Sequence, residues 1–272
     1  MINYLKVKNF LSKFFSGNKE EKIVLVHDRK KGDYYRKQLV NTEMSKPSES
    51  FSHSNNEDNN IIVNNTPFDA DEELTESQKK FVKQLETEYS PWIKNLSLNE
   101  NLNISRYTDN DYFLINKFLR SVSTSSFTHA QIGELTRKIK AITSALNKSE
   151  VKTPLIVHRQ VKGLDLLGKL KSCMESGGTW EDPAFMSTTV IKDSFNTVSP
   201  EGVIHLVIDV PKGKGIGGFV KGLSKYPIEQ EFLLNKGSRF EVKNIENPKT
   251  NQYVVHLKLV GRNTEDDVNY DL

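Results

Sequence analysis

"KYPIEQEFLLNKGSRFEV", Lys225 to Val242, marks the point where an irregular, Gly-rich run gives way to alternating apolar sequence, with Glu229 and Glu231 one residue apart at the junction. In an extended backbone, residues two apart point to the same side, so the spacing predicts that both carboxylates share a face while Gln230 points away. Neighbouring carboxylates push each other's pKa apart, which suits acid and base chemistry; a solvated strand end carries the same pair without function. The residues alone leave both readings open.

Working outward, the pattern on either side is that of short strands. "PLIVHRQV", "AFMSTTVI", "GVIHLVIDVP", "EFLLN", "SRFEVKNI" and "QYVVHLKLVG" are rich in branched and aromatic residues and are separated by Gly, Pro, Asn and Asp. One short apolar helix, "LDLLGKLKSCM", interrupts them. Upstream, the sequence is helical. Thr75 with Gln78 makes a capping box before "SQKKFVKQLETEY", and Ser90-Pro91 reads as the start of a further helix at "PWIKNL". Tyr112, Ile115 and Leu119 form one stripe; Ile132, Leu135, Ile139, Ile142 and Leu146 form another, after the capping box of Thr128 and Gln131. Helices first and strands afterwards predict an α+β domain rather than an alternating parallel sheet.

"GKGIGG", Gly213 to Gly218, matches a dinucleotide-binding pattern and follows a strand, but it leads into another strand instead of opening a helix, so the Rossmann reading fails on context. The glycines read instead as a mobile loop that delivers the carboxylate pair.

The 272 residues allow one medium domain with extra segments. A single Cys173 excludes an intrachain disulfide framework, and the six scattered His lack the close partners of a structural zinc site, so no metal is expected. A formal charge of +3 does not point to nucleic acid, though residues 1–50 hold eleven Lys or Arg against six Asp or Glu. No apolar run approaches the roughly 18 residues of a membrane span. The start, "MINYLKVKNFLSKFFSG", is broken by Lys6, Lys8 and Lys13 where a cleavable signal would be uncharged. At helical spacing its Tyr4, Val7, Phe10, Leu11, Phe14 and Phe15 fall on one arc, which fits a helix bound to a membrane surface, to a partner such as a chaperone, or to the protein's own body. "KIVLVHDRKKGDYYRKQLV" is ambiguous between strand and helix, and the Asn- and Ser-rich "MSKPSESFSHSNNEDNNIIVNNTP" is expected to be disordered. The expected organisation is a basic amphipathic segment and linker over 1–70, a folded domain over 71–265 and a tail over 266–272.

Three polar features stand at strand positions: Arg159 in "LIVHRQV", Ser187-Thr188-Thr189 in "AFMSTTVI", and the Glu229/Glu231 pair in "IEQEFLL". An Arg fork suits phosphates, hydroxyls can hold a carboxylate, and a held carboxylate stabilises a developing cation. This trio resembles the Arg, Ser-Thr-Ser, Glu-x-Glu signature of the mono-ADP-ribosyltransferase exoenzymes, in the arginine-modifying class of bacterial and phage toxins. The resemblance runs from about Trp92 to Leu259, with Tyr107 and Tyr112 in the place of the family's paired tyrosines. It implies two packed, roughly perpendicular β-sheets that clamp NAD as substrate, and transfer of ADP-ribose to an arginine of a target protein. By the same resemblance Arg159, Tyr107, Tyr112 and Thr188 hold NAD, and Ser187 orients the catalytic carboxylate. Glu231 serves the nicotinamide ribose, Glu229 serves the acceptor, and Tyr226 recognises the target. Thr189 and Gln160 depart mildly from the pattern, and "IKDSFNTVSPEG" offers only Lys192 as a second cation. The expected protein is a monomer, secreted or delivered into a target cell without a cleavable signal and held at a membrane by its first helix. An NAD glycohydrolase, or a non-catalytic membrane-surface module on the same fold, are the alternatives.

Overall fold

The computed structural model describes the backbone of residues 19–28 and 32–41, and residues 71, 74–192, 203–249 and 252–264. The chain divides into two units, Met1–Glu73 and Leu74–Leu272. In the first, β1 (Lys19–Asp28) and β2 (Gly32–Asn41) form an antiparallel hairpin in continuous register from Lys19 opposite Asn41 to Asp28 opposite Gly32. The ambiguous stretch is thus strand, as its Ile23-Val24-Leu25-Val26 run favours. The expected amphipathic helix over 1–17, the Asn/Ser run over 44–67 and the tail over 266–272 lie outside the described residues.

The second unit opens with α1 (Glu76–Lys94), whose Thr75 hydroxyl accepts from the Gln78 N–H at 3.3 Å while the Gln78 side chain accepts from the Thr75 N–H at 2.9 Å. Ser90-Pro91 does not open a new helix: α1 continues through Pro91 to Lys94. Tertiary contacts outweigh the missing N–H, because Val82, Leu85 and Tyr89 are buried and the Trp92 indole donates to the Ala145 carbonyl at 2.9 Å. α2 (Leu98–Arg106) starts at a third capping box, Ser97 with Glu100, which the sequence reading passed over. It runs through a π-helical turn (Tyr107–Asp111) into α3 (Tyr112–Leu119). α4 (His129–Asn147) has the expected Thr128/Gln131 box and buries Leu135, Ile139, Ile142 and Leu146.

The remaining elements are β3 (Glu150–Val151), β4 (Leu155–Lys162), α5 (Leu164–Ser176), β5 (Thr179–Asp182), β6 (Met186–Thr189), β7 (Val203–Val210), β8 (Gly213–Lys214), β9 (Gly217–Phe219), β10 (Glu231–Leu234), β11 (Ser238–Lys249) and β12 (Gln252–Arg262). Eight strands hydrogen-bond in the order β5-β11-β12-β7-β4-β6-β10-β9, and β3 pairs with β8. Only β7 and β12 run parallel among the paired strands described. The two expected sheets are two wings of this order, β5 to β4 and β6 to β9, joined by one residue pair, His158 opposite Thr189.

The glycines of Gly213–Gly218 are not a mobile loop. Gly217 and Gly218 are buried in β9, which pairs with β10. A Cβ on Gly217 would stand 2.5 Å from the Leu233 carbonyl oxygen, and one on Gly218 would stand 2.7 Å from the Trp92 ring. They are glycines because neighbouring groups approach too closely for a side chain.

β10 is the strand that positions the site. All four of its residues are buried; Phe232 and Leu234 enter the core formed with α1, β7, β11 and β12, while Leu233 enters a second core with Ile104, Tyr107, Ile115, Ile139 and Phe185. A strand clamped on both faces fixes its first residue, Glu231, in place.

Candidate active site

The single joint between the two wings brings the polar strand residues together. Arg159, on β4, is half-buried, and its Nη1 donates to the Ser187 carbonyl of β6 at 2.6 Å. Burial pulls the Arg159 pKa below its ordinary value, with Tyr107, Asp182 and Glu231 opposing that shift and Arg120 adding to it. β10 pairs with β6 so that Glu231 stands opposite Thr189 and Leu233 opposite Ser187. Side chains alternate along a strand, so Ser187, Thr189 and Glu231 share one face. Glu231 is 2% exposed and Ser187 half-exposed. Thr188, on the other face, is buried, and its hydroxyl donates to the Phe232 carbonyl. The structure therefore makes Thr188 a brace between β6 and β10, not a group presented to a ligand.

Tyr107 is also displaced from its expected role. It is fully buried; its hydroxyl donates to the Phe185 carbonyl at 3.2 Å and accepts from the Asn116 side chain at 2.9 Å. A phenol with no exposed surface braces the chain at Phe185, just ahead of β6, and does not line a ligand site. Burial, first, and the nearby Glu231 charge raise its pKa, so it stays a neutral donor. Tyr112 keeps a half-exposed position on α3.

Glu229 and Glu231 do not share a strand face. Pro227–Glu229 is a 3-10 turn, and Gln230 lies in the left-handed region at φ 47°, ψ 48°, the one non-glycine with positive φ among the described residues. Gln230 is fully buried, and its carbonyl accepts from the Val190 N–H at 3.2 Å. The left-handed residue separates the carboxylates, leaving Glu231 buried and Glu229 half-exposed. Tyr226 caps the turn; its phenol donates to Asp109 at 3.3 Å, and its pKa is raised by burial first and then by Asp109, Glu229 and Tyr112.

Three residues at the site escaped the sequence reading. Asn116 holds Tyr107. Arg120, close enough to lower the Arg159 pKa, makes a two-pronged pair with Asp182 at 3.0 and 2.8 Å, and Asp182 also accepts from the Ala184 N–H at 3.1 Å. The signal for Asn116 and Arg120 was their place as polar residues interrupting the apolar stripe of "YFLINKFLR"; Asp182 had none. Of "IKDSFNTVSPEG", residues 193–202 lie outside the described part. Lys192 lines a groove of about 1100 Å³ with Ile156, His158, His205 and His256, on the face of β4 opposite to Arg159. Neither Arg159 nor either carboxylate lines that groove. Among the described residues no cluster of His, Cys, Asp or Glu could hold a metal ion, and no helix is long and apolar enough to cross a membrane.

A cation, a hydroxyl and a buried carboxylate thus meet at one strand joint, with the half-exposed Glu229 in the turn just before it, and residues 78–261 match the family model described as ADP-ribosyltransferase exoenzyme. The chain belongs to this family. It adopts the ADP-ribosyltransferase fold, with a helical region ahead of mixed strands, and the family is one of mono-ADP-ribosyltransferase toxins. Plx2a, an ADP-ribosyltransferase toxin from Paenibacillus larvae, is 23% identical with a TM-score of 0.55 over 68% of this chain and 97% of that one. The ADP-ribosyltransferase Vis from Vibrio splendidus, solved with agmatine, is 24% identical with a TM-score of 0.52 over 71% of this chain and 91% of that one. BECa, an ADP-ribosylating toxin of a C. perfringens binary enterotoxin solved with NADH, is 21% identical with a TM-score of 0.53 over 89% of this chain and 57% of that one. No curated protein matches the chain. At these identities the likenesses to solved ADP-ribosyltransferases speak for the fold alone.

Proposed function

We propose that the protein transfers ADP-ribose from NAD to an arginine side chain of a target protein and releases nicotinamide. The observation that carries this reading is the separation of the carboxylates by Gln230: Glu231 is 2% exposed on the strand face it shares with Ser187, and Glu229 is half-exposed in the preceding turn. In the proposed reaction the bond between the ribose C1′ and the nicotinamide ring nitrogen breaks, and its electron pair leaves with nicotinamide. Glu231 offers a fixed negative charge to the cationic ribose that develops, which pre-organised electrostatics make effective at a buried position. A guanidinium nitrogen of the acceptor then bonds to C1′ and gives up one proton, which Glu229 accepts. This carboxylate is needed because free guanidinium is protonated at neutral pH. Arg159, anchored to Ser187 by Nη1, has the rest of its fork for the diphosphate oxygens. Arg120 adds a second cation near it, although its pairing with Asp182 spends part of that charge.

The agmatine bound to Vis and the NADH bound to BECa are of the two chemical kinds this site would take, a guanidinium and a nicotinamide dinucleotide. The test is incubation with labelled NAD, agmatine and a host lysate. Label on agmatine, and a labelled protein band removed by hydroxylamine, supports arginine transfer. Nicotinamide release without either makes the protein an NAD glycohydrolase, and no NAD cleavage leaves a binding module.

A further inference from the structure

The π-helical turn at Tyr107–Asp111 faces several parts of the molecule at once. Tyr107 donates to the Phe185 carbonyl beneath the site, and Asp111 pairs with Lys138 of α4 at 2.9 Å. Between them, Thr108 is buried, gives its hydroxyl proton to the Ser105 carbonyl at 2.8 Å and accepts from the Lys225 N–H at 3.1 Å. Asp109 accepts from the Tyr226 hydroxyl at 3.3 Å. The widened turn presents successive residues to different neighbours, as inserted π turns do at functional sites.

The segment these two residues hold is the one that carries Glu229. Within the segment, Tyr226 N–H donates to Ser224 Oγ at 3.0 Å, Glu229 N–H to Tyr226 O at 3.0 Å and Gln230 N–H to Pro227 O at 3.2 Å, and at its far end the Gln230 carbonyl accepts from the Val190 N–H at 3.2 Å. The bonds to Thr108 and Asp109 span 117 residues of sequence and tie this local turn to the helical layer. Glu229 follows Tyr226 by three residues within the same 3-10 turn, so the angle of Tyr226 sets that of Glu229. A carboxylate is suited to this place because it accepts a hydrogen bond from a phenol and donates none, which fixes the direction of the bond.

We infer that Asp109, assisted by Thr108, is a positioning residue for the acceptor: through Tyr226 it holds the turn that presents Glu229, so the π turn sets transfer separately from cleavage of NAD. This rests on the reading of Glu229 as the acceptor-side carboxylate. The full chain is compared with its Asp109→Ala, Asp109→Asn, Tyr226→Phe and Asp109→Ala/Tyr226→Phe variants. Nicotinamide release and label on agmatine are followed in parallel, with amide hydrogen exchange over Lys225–Gln230. Asp109→Ala should lower the ratio of transfer to hydrolysis by about ten- to a hundredfold, up to the loss that a misplacement of about 1 Å brings. Exchange over the segment should quicken, Asp109→Asn should recover most of the ratio because its Oδ1 still accepts, and the double variant should be no worse than the poorer single one. An unchanged ratio in Asp109→Ala, or effects that multiply in the double variant, would overturn the inference. So would equal loss of transfer and hydrolysis in Tyr226→Phe at an unchanged melting temperature. If the wild-type chain cleaves no NAD, the reading of the site has failed by itself, and exchange then decides the tether: faster in Asp109→Ala supports it, unchanged overturns it.

Discussion

Glu231 and Glu229 differ in surroundings more than in chemistry. Glu231 begins a strand buried on both faces and stands opposite Thr189, so it cannot swing away from the Ser187 face. Replacing it with Gln keeps the shape and removes the charge. Glu231→Gln should slow nicotinamide release about a hundred- to a thousandfold, the usual size of one pre-organised group, with little change in melting temperature. Release near the wild-type rate in a purified, folded variant would remove Glu231 from the chemistry. Arg159→Lys should weaken NAD binding more than folding, because a point charge loses both the fork and the Nη1 bond to Ser187. Titration with NAD beside a melting curve checks this; loss of fold without a specific loss of NAD binding would make Arg159 a structural arginine.

At the scale of elements, the helical layer holds the site from behind, and its own stability is tied to one carboxylate. Burial pushes the Glu100 pKa up, but the Lys148 ammonium, the Ser144 hydroxyl and the Ser97 N–H and hydroxyl outweigh it, taking the group from 4.5 to about 2. A pKa depressed in the folded state stabilises above the unfolded value and is lost as pH falls through the folded one. The contribution of Glu100, on the order of 2 to 3 kcal/mol, is therefore present above about pH 4.5 and disappears towards pH 2. Denaturant titrations at pH 6 and pH 3 should show a smaller drop in Glu100→Gln than in wild type, and equal drops would contradict the network. In β9, Gly217→Ala should cost about 1 to 3 kcal/mol by forcing a methyl against the Leu233 carbonyl, a loss measurable by chemical denaturation. Such contacts separate what the sequence discloses from what it hides. The Thr75/Gln78 and Thr128/Gln131 caps are local chemistry, and the branched runs of β4, β7, β10, β11 and β12 have a strand's period, so these elements were legible. Gly217 and Gly218 read as loop because their reason lies in Trp92 and Leu233, far away in sequence. Pro91 read as a helix start because the Trp92 bond to Ala145 cannot be seen locally. Arg159, Ser187 and Glu231 were legible as polar residues in apolar strands, whereas Asn116 and Arg120 looked like the polar side of a helix. The extended reading of Glu229 failed because Gln230 is turned left-handed by tertiary bonding, including its carbonyl to Val190.

For the molecule as a whole, the second unit, Leu74–Leu272, has its own two cores and contains every residue of the candidate site. A chain lacking residues 1–73 should keep the melting temperature and NAD-cleaving rate of the full protein while losing binding to anionic liposomes. An inactive or insoluble truncation would make the first unit part of the catalytic fold, and unchanged liposome binding would dismiss the amphipathic segment as an anchor. The central claim is the division of labour across Gln230, and Glu229→Gln tests it most directly. Nicotinamide release and label incorporation into agmatine should be measured in parallel on this variant. The account predicts that transfer falls far more than hydrolysis, because water as acceptor needs less help than a protonated guanidinium. Equal loss of both activities would put Glu229 in NAD binding, and equal retention would make it a solvated charge in the turn; either result contradicts the account.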